Sequence, residues 1–141
     1  MDIHKEFATN KKSETDGIWL ALETGKPGEV LIARLQNVNW RRAARRLPKS
    51  IRRQMNDDLL PEGTMDEITA ELMSKTIVLG WRDLYKDGKP LDYSQETCFE
   101  ILLEYPDFRA RLYELASDVE NFRKAEMDDL GKDYVPQYPG T

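Results

Sequence analysis

The residues of this 141-residue chain that could do chemistry are mostly charged, and the densest group of them is basic. Seven basic residues fall within 13 positions: Arg41, Arg42, Arg45, Arg46, Lys49, Arg52 and Arg53. On a single helix, positions 41, 45, 49 and 52 would share one face, with 42, 46 and 53 beside it. Such a stripe can neutralise the phosphates of a nucleic acid, or it can pair with an acidic protein surface, including that of a second copy. A solvated helix face without a partner is the third interpretation.

Groups that usually carry catalysis are scarce. His4 is the only histidine and lies in a polar terminus, and Cys98 is the only cysteine, which excludes an intrachain disulfide. Carboxylates occur in pairs, but exposed acidic residues are expected in a chain that is 33% charged, and nothing singles out one pair: Asp57-Asp58, Asp66-Glu67, Asp128-Asp129, and Glu100 with Glu104 at i,i+4 spacing. Because zinc sites and nucleophilic triads need convergent His or Cys side chains, the sequence predicts no catalytic site, no metal and no cofactor. We therefore expect a binding protein and not an enzyme.

Charge is divided unevenly along the chain. Residues 1–53 carry 12 Lys/Arg against 6 Asp/Glu, a net of +6, and residues 54–141 carry 9 against 20, a net of −11. This asymmetry indicates a charged partner, or self-association that pairs opposite ends. The pI of about 5.0 disfavours approach to DNA, so a nucleic acid ranks below an acidic protein surface as partner of the basic stretch. No apolar run approaches the roughly 20 residues of a membrane span, so we expect no membrane contact.

The elements that must position the basic stretch begin with a short β region. We expect residues 1–16 to be a flexible N-terminal arm or an edge strand, residues 17–131 a single globular domain, and residues 132–141 a flexible C-terminal tail. Two apolar runs, 18–22 and 30–35, flank a Gly/Pro-rich turn, which predicts a β-hairpin. A helix should begin at Asn37 or Asn39, and Pro48 should bend it or divide it into two short helices.

Signals for further helices follow. Thr64 and Glu67 form a capping box, which predicts a helix that starts there and runs on through Trp81 to Tyr85. Ser94 is the expected N-cap of the next helix, and Pro106 the first residue of the one after it. The last helix has an apolar seam and is expected to end at Gly131: the seam is Phe108, Leu112, Leu115, Val119 and Phe122. The predicted class is α+β, mainly helical, with an N-terminal β-hairpin followed by four to five helices.

Small motifs in the second half of the chain resemble a known family. They are Gly80-Trp81 at the end of an apolar segment, Asp87-Gly88 in a turn, Tyr93-Ser94 before a helix, Pro106-Asp107-Phe108, and Asn121-Phe122. In this order, over about residues 65–125, they resemble the tail assembly chaperones of long-tailed, siphovirus-like bacteriophages. The arginine-rich stretch is not part of this pattern.

The resemblance implies a non-catalytic protein of the host cytoplasm that is absent from the mature virion. It would oligomerise, bind the tape measure protein and help to recruit the tail tube protein. The expected partner-binding residues combine exposed aromatic side chains with the basic stretch: Trp19, Trp40, Arg41, Arg42, Arg45, Arg46, Arg52 and Arg53. We expect Trp40 to be the most exposed of the aromatic side chains. The alternative function is a small nucleic-acid-binding regulator that uses residues 41–53.

Overall fold

The computed structural model describes residues 1–134, with side chains up to Asp128. The elements are α1 (Ile3–Phe7), α2 (Lys11–Asp16), β1 (Ile18–Ala21), β2 (Glu29–Ile32), α3 (Val38–Arg45), α4 (Lys49–Asn56), α5 (Glu62–Thr76), β3 (Val78–Arg82), β4 (Tyr85–Lys86), β5 (Lys89–Pro90), α6 (Gln95–Glu104), α7 (Pro106–Ser117) and α8 (Val119–Tyr134). Helices therefore dominate two small antiparallel sheets. The predicted α+β, mainly helical class is confirmed.

The larger sheet has the strand order β1-β2-β3, with both pairs antiparallel. The two apolar runs predicted to pair do so as β1 and β2. The hairpin is not the first element of the chain, because α1 and α2 precede it, and β3, from beyond α5, completes the sheet. The central strand β2 lies opposite Trp19 at Leu31 and opposite Trp81 at Val30. Val30 and Ile32 are two positions apart and so lie on the same face of β2, where both are completely buried in the core.

The smaller sheet is a tight hairpin of β4 and β5, with Lys86 opposite Lys89. Its two turn residues both have positive φ, 52° at Asp87 and 78° at Gly88. Asp-Gly is the usual sequence of a type I′ turn, which demands positive φ at both central positions and matches the twist of the strands. The turn predicted here from Asp87-Gly88 is confirmed.

One hydrophobic core lies between the larger sheet and helices α5, α6 and α7. Its fully buried members include Ile32 of β2, Met73 of α5, Val78 of β3, Leu102 of α6 and Leu112 of α7. These residues come from segments distant in sequence, so the core joins the first and second halves of the chain.

The prediction for the segment around α5 is wrong at both ends. The helix begins at Glu62, after Pro61, and has no side-chain cap, so Thr64 is an interior residue and not an N-cap. Pro61 sets this start because its fixed φ suits the residue that precedes a helix and it has no N–H to satisfy. The helix ends at Thr76, and the region containing Trp81 continues as β3. Ile77 accepts a hydrogen bond of 2.8 Å from the Ala33 N–H, so pairing with the β2 segment replaces further helix.

The first 16 residues also differ from expectation, because they contain α1 and α2 in place of an edge strand. Each helix has an Asx cap: Asp2 accepts from the Lys5 N–H at 3.2 Å, and Asn10 accepts from the Ser13 N–H at 2.8 Å. Side-chain caps of this kind satisfy backbone donors that a helix start leaves open. The Glu14 carboxylate lies 2.6 Å from the Arg34 guanidinium, which fixes α2 against the segment after β2.

The C-terminal helices follow the predicted starts but not the predicted ends. Ser94 caps α6 and Pro106 begins α7, as expected. The predicted last helix is interrupted at Asp118, so its apolar seam is shared by α7 and α8. The described residues therefore contain six helices after β2, where four to five were expected. Gly131 lies inside α8, because a helical glycine costs only about 1 kcal/mol. Of the predicted flexible tail, residues 132–134 belong to α8 and residues 135–141 lie outside the described part of the chain.

Candidate partner-binding surfaces

Helices α3 and α4, residues 38–56, form what we call the cationic arm, and Asn37 fixes its base. The Asn37 side-chain oxygen accepts hydrogen bonds from the N–H groups of Asn39 at 2.8 Å and Trp40 at 3.1 Å, which caps α3. Its amide nitrogen donates to the carbonyls of Arg34 at 2.8 Å and Thr76 at 3.1 Å. Because Asn37 is only 6% exposed, these bonds are shielded from water and hold the arm to the end of α5.

The arm is strongly and uniformly charged. It contains seven Lys/Arg residues and no Asp or Glu. Arg41, Arg42, Arg45, Arg46 and Arg53 are exposed. Within residues 1–128, the ion pairs of the structure involve none of the arm's basic side chains. The arm is therefore a cationic surface whose charge is not neutralised by ion pairs among residues 1–128.

Pro48 divides the arm into two helices, which is the second of the two predicted alternatives. The basic residues are therefore shared between α3 and α4 and do not form one straight stripe. Neither helix contains a buried residue. Ile51 and Met55 of α4 are only half-buried and lie outside the hydrophobic core. Arg52 is half-buried too, and its buried Nε atom makes no hydrogen bond within the described residues.

The structure separates the two tryptophans predicted to bind a partner. Trp40 is half-buried and packs against the core, so the expectation that it is the most exposed aromatic side chain is wrong. The physical reason is that α3 packs on α5, which turns this side chain inward. Trp19 is 40% exposed on β1, and the Arg82 guanidinium lies 4.0 Å from the centre of its ring. Trp40, Arg41 and Arg45 line one shallow depression, to which Trp19 does not contribute.

A second surface was not predicted from the sequence. A pocket of about 480 Å³ lies between the β4–β5 hairpin and helices α6 and α7, and we call it the aromatic groove. Its apolar lining includes Leu84, Leu91, Ile101 and Phe108. Tyr85, which is 65% exposed, and Tyr105, which is 41% exposed, also line it. Exposed aromatic rings next to an apolar depression are typical of protein-binding sites.

Trp81 and Tyr93 support the groove through hydrogen bonds and ring contacts. The Trp81 indole N–H donates to the Leu91 carbonyl at 2.7 Å, and the Tyr93 hydroxyl donates to the Val78 carbonyl at 2.6 Å. The Trp81 ring makes T-shaped contacts with the rings of Tyr93 and Phe108, with centroid distances of 5.0 and 6.5 Å. Burial raises the pKa of Tyr93 to about 12, so its hydroxyl stays protonated and remains a donor.

One side of the groove carries an ion pair. The Lys86 ammonium lies 3.1 Å from both oxygens of Glu104 and 5.6 Å from the centre of the Tyr105 ring. The hydrogen bond to Glu104 raises the pKa of Lys86, and the same bond lowers the pKa of Glu104. The pair is solvent-exposed, so it orients Lys86 over the tyrosine more than it stabilises the fold.

The groove is made by residues whose importance the sequence suggested for another reason. Four residues of the motifs that resemble the tail assembly chaperones line the groove or support it: Trp81, Asp87, Tyr93 and Phe108. The groove was not predicted because Trp81 and Tyr85 were expected on one helix. The available signal was the Asp-Gly dipeptide, which is a hairpin signature when two-residue strands flank it.

Other kinds of site are not seen in the described residues. No group of three or more His, Cys, Asp or Glu side chains within them could hold a metal ion. No helix in that part of the chain is long and apolar enough to span a bilayer. Cys98 is buried in the core, and burial raises the pKa of its thiol to about 12, which disfavours the reactive thiolate.

Comparison with known proteins gives one match. No curated protein and no solved structure matches the chain. A family model described as YdaY prophage protein matches residues 35–133, a range that contains both the cationic arm and the aromatic groove. This match extends over more than half of the sequence and indicates a phage-derived protein. The chain therefore belongs to the YdaY prophage protein family.

Proposed function

We propose that this protein is a non-catalytic tail assembly chaperone of a siphovirus-like phage. It oligomerises in the host cytoplasm, binds the tape measure protein to promote assembly of the tail tube, and is absent from the mature virion. One observation carries this proposal: residues from four of the five motifs that resemble those of tail assembly chaperones line the aromatic groove or support it. Membership of a prophage protein family is consistent with a role in phage assembly.

The groove suits an amphipathic helix as its occupant. Leu84, Leu91 and Ile101 offer an apolar lining, and Tyr85 and Tyr105 offer large rigid rings beside it. Helix-in-groove recognition uses apolar anchors spaced three to four residues apart, with polar contacts at the rim. Lys86 and Glu104 can supply such polar contacts. We infer that an apolar face of the tape measure protein lies in this groove.

The experiment is co-expression with the tape measure protein of the same prophage, followed by affinity purification and titration. The double variant Tyr85→Ala/Tyr105→Ala should lower affinity at least about tenfold, since two exposed aromatic anchors at an interface typically contribute this much. Tyr113→Ala is the matched control, because Tyr113 lies on α7 and does not line the groove. Its exposed fraction, 43%, is close to the 41% of Tyr105. Failure of the unmodified protein to bind the tape measure protein contradicts the proposal, as does equal loss in the control.

The cationic arm supports a second candidate function, a regulator that binds nucleic acid. Its seven basic residues have no acidic neighbour within residues 38–56, which is the footprint expected of a phosphate-binding surface. The net charge of −5 opposes it. Salt-dependent binding of a fluorescent DNA or RNA duplex, lost in Arg45→Glu/Arg46→Glu, would support this function. No detectable binding at low salt would remove it.

A further inference from the structure

We propose that the cationic arm of one copy docks onto the outer face of α5 and α6 of a second copy, so that copies associate head to tail. The inference deepens the proposed function and rests on the self-association that it includes. It names the two surfaces that meet. Its starting point is the arm, which has no buried residue, seven basic side chains and no ion pair within the described structure.

The receiving face is built by two helices that run in opposite directions. Arg109 joins their ends, because its guanidinium donates to Asp66 of α5 at 3.2 Å and to the Leu102 carbonyl of α6 at 3.0 Å. At the other end, Glu71 of α5 and Glu96 of α6 line the same shallow depression. Residue 66 is thus near 102 and residue 71 near 96, which is an antiparallel arrangement.

This arrangement gathers carboxylates, and we call them the acidic face. Its four residues are Glu67, Glu71, Glu96 and Glu100. Residues four apart on a helix lie on the same side, so Glu67 and Glu100 extend the depression that Glu71 and Glu96 begin. All four are exposed. Glu71 pairs with Lys75 at 2.7 Å, and the other three are in none of the ion pairs found among residues 1–128.

The two surfaces are complementary in charge and in apolar content. The arm carries seven positive charges, and the acidic face carries four negative charges beside one lysine. Half-buried Phe99 lies within the depression on the acidic face, and half-buried Ile51 and Met55 lie outside the core on the arm. Within one copy no ion pair joins the arm to the acidic face in the described residues. A second copy can supply the missing opposite charges.

The geometry of such a contact determines the kind of assembly. The arm and the acidic face are different surfaces, so the contact is heterologous, and each bound pair of copies leaves one arm and one face available. Contacts of this type build rings if the rotation closes and filaments if it does not. Because exposed charges attract through water, assembly should weaken steeply as salt is added.

A charge-swap experiment tests the inference with the purified full chain. The arm variant is Arg45→Glu/Arg46→Glu, and the face variant is Glu96→Lys/Glu100→Lys. Sedimentation velocity at low salt should show assemblies of the unmodified chain that dissociate in high salt. Each variant alone should associate at least about tenfold more weakly, because like charges would then meet. An equimolar mixture of the two variants should assemble again.

Glu114→Lys/Glu120→Lys is the matched control for the face variant. It makes the same change in net charge on α7 and α8, at side chains that are 71% and 67% exposed. It should assemble as the unmodified chain does. Circular dichroism establishes that each variant is folded. A monomeric unmodified chain, a folded mixture that stays monomeric, or a face variant that assembles normally would each overturn the inference.

These outcomes can be distinguished from failure of the proposed binding to the tape measure protein. Self-association is measured without the tape measure protein, and binding of that protein is tested through Tyr85 and Tyr105 of the groove. Restored assembly in the mixture supports the head-to-tail contact even if no tape measure protein binds. Binding of the tape measure protein by a monomeric chain would support that interaction and refute both the head-to-tail contact and the self-association included in the proposed function.

Discussion

Replacing Trp81 with phenylalanine tests how the groove is supported. Trp81 is 6% exposed, and its indole N–H donates to the Leu91 carbonyl at 2.7 Å. Trp81→Phe removes this donor and leaves the carbonyl without a partner, which costs about 1–3 kcal/mol. The smaller ring also leaves a void beside Tyr93 and Phe108, which costs about 1–2 kcal/mol more. Together, we expect the free energy of unfolding to fall by about 3 kcal/mol.

Trp19→Phe is the matched control, because it makes the same substitution at a ring that is 40% exposed. The Arg82 guanidinium lies 4.0 Å from the centre of that ring. Phenylalanine preserves part of this cation–π contact, so the loss should stay below about 1 kcal/mol. The comparison separates burial and hydrogen bonding from the general effect of a smaller aromatic ring.

The assay is urea unfolding followed by far-UV circular dichroism. With an m-value of about 2 kcal/mol/M, Trp81→Phe should lower the urea midpoint by roughly 1.5 M without changing the slope. Trp19→Phe should shift it by less than about 0.5 M. Equal shifts for the two variants would show that the indole hydrogen bond and the packing of Trp81 do not stabilise the groove as argued.

Three other perturbations follow from the contacts. Asn37→Ala removes the cap and anchor of the arm, so it should cost about 2 kcal/mol and speed amide hydrogen exchange in α3 but not in α6. Glu14→Gln weakens the partly buried ion pair of 2.6 Å between Glu14 and Arg34. A double-mutant cycle with Arg34→Met should give a coupling free energy of about 1 kcal/mol between the two side chains, and zero coupling would contradict this. Burial raises the pKa of Cys98 from 9.0, and that of Tyr93 from 10.0, to about 12. The unfolded state releases these protons first, so stability to urea should fall as pH rises from 9 to 12, and fall less in Cys98→Ala.

Helix caps, helix starts and helix breaks could be predicted from the sequence. Asn37 and Ser94 cap helices, Pro48 divides the arm, and Pro106 begins α7, because each property depends on a side chain and its immediate backbone. The composition of the cationic arm was equally plain. These features do not require knowledge of which distant segments touch.

The sequence alone could not predict whether a segment would form a local helix or pair with a distant strand. The segment 77–82 has apolar residues that suit either a helix or a strand, and it becomes β3 because β2 offers an edge on which Ile32 pairs with Val78. That partner lies more than forty positions earlier in the chain. The capping box predicted at Thr64 is not formed for a different, local reason: the helix already begins after Pro61.

The properties of the candidate surfaces likewise fall into those predicted by the sequence and those set by tertiary structure. The sequence by itself determined that the chain is mainly helical, that residues 41–53 are basic and that the carboxylates lie mostly in the second half, since these are properties of composition and short-range spacing. Only the tertiary structure decided that Trp40 turns inward, that Trp81 supports a groove, and that the arm's cations have no ion-pair partner within the described chain. Burial and ion pairing depend on distances between segments, and those distances are set by the packing of the whole core.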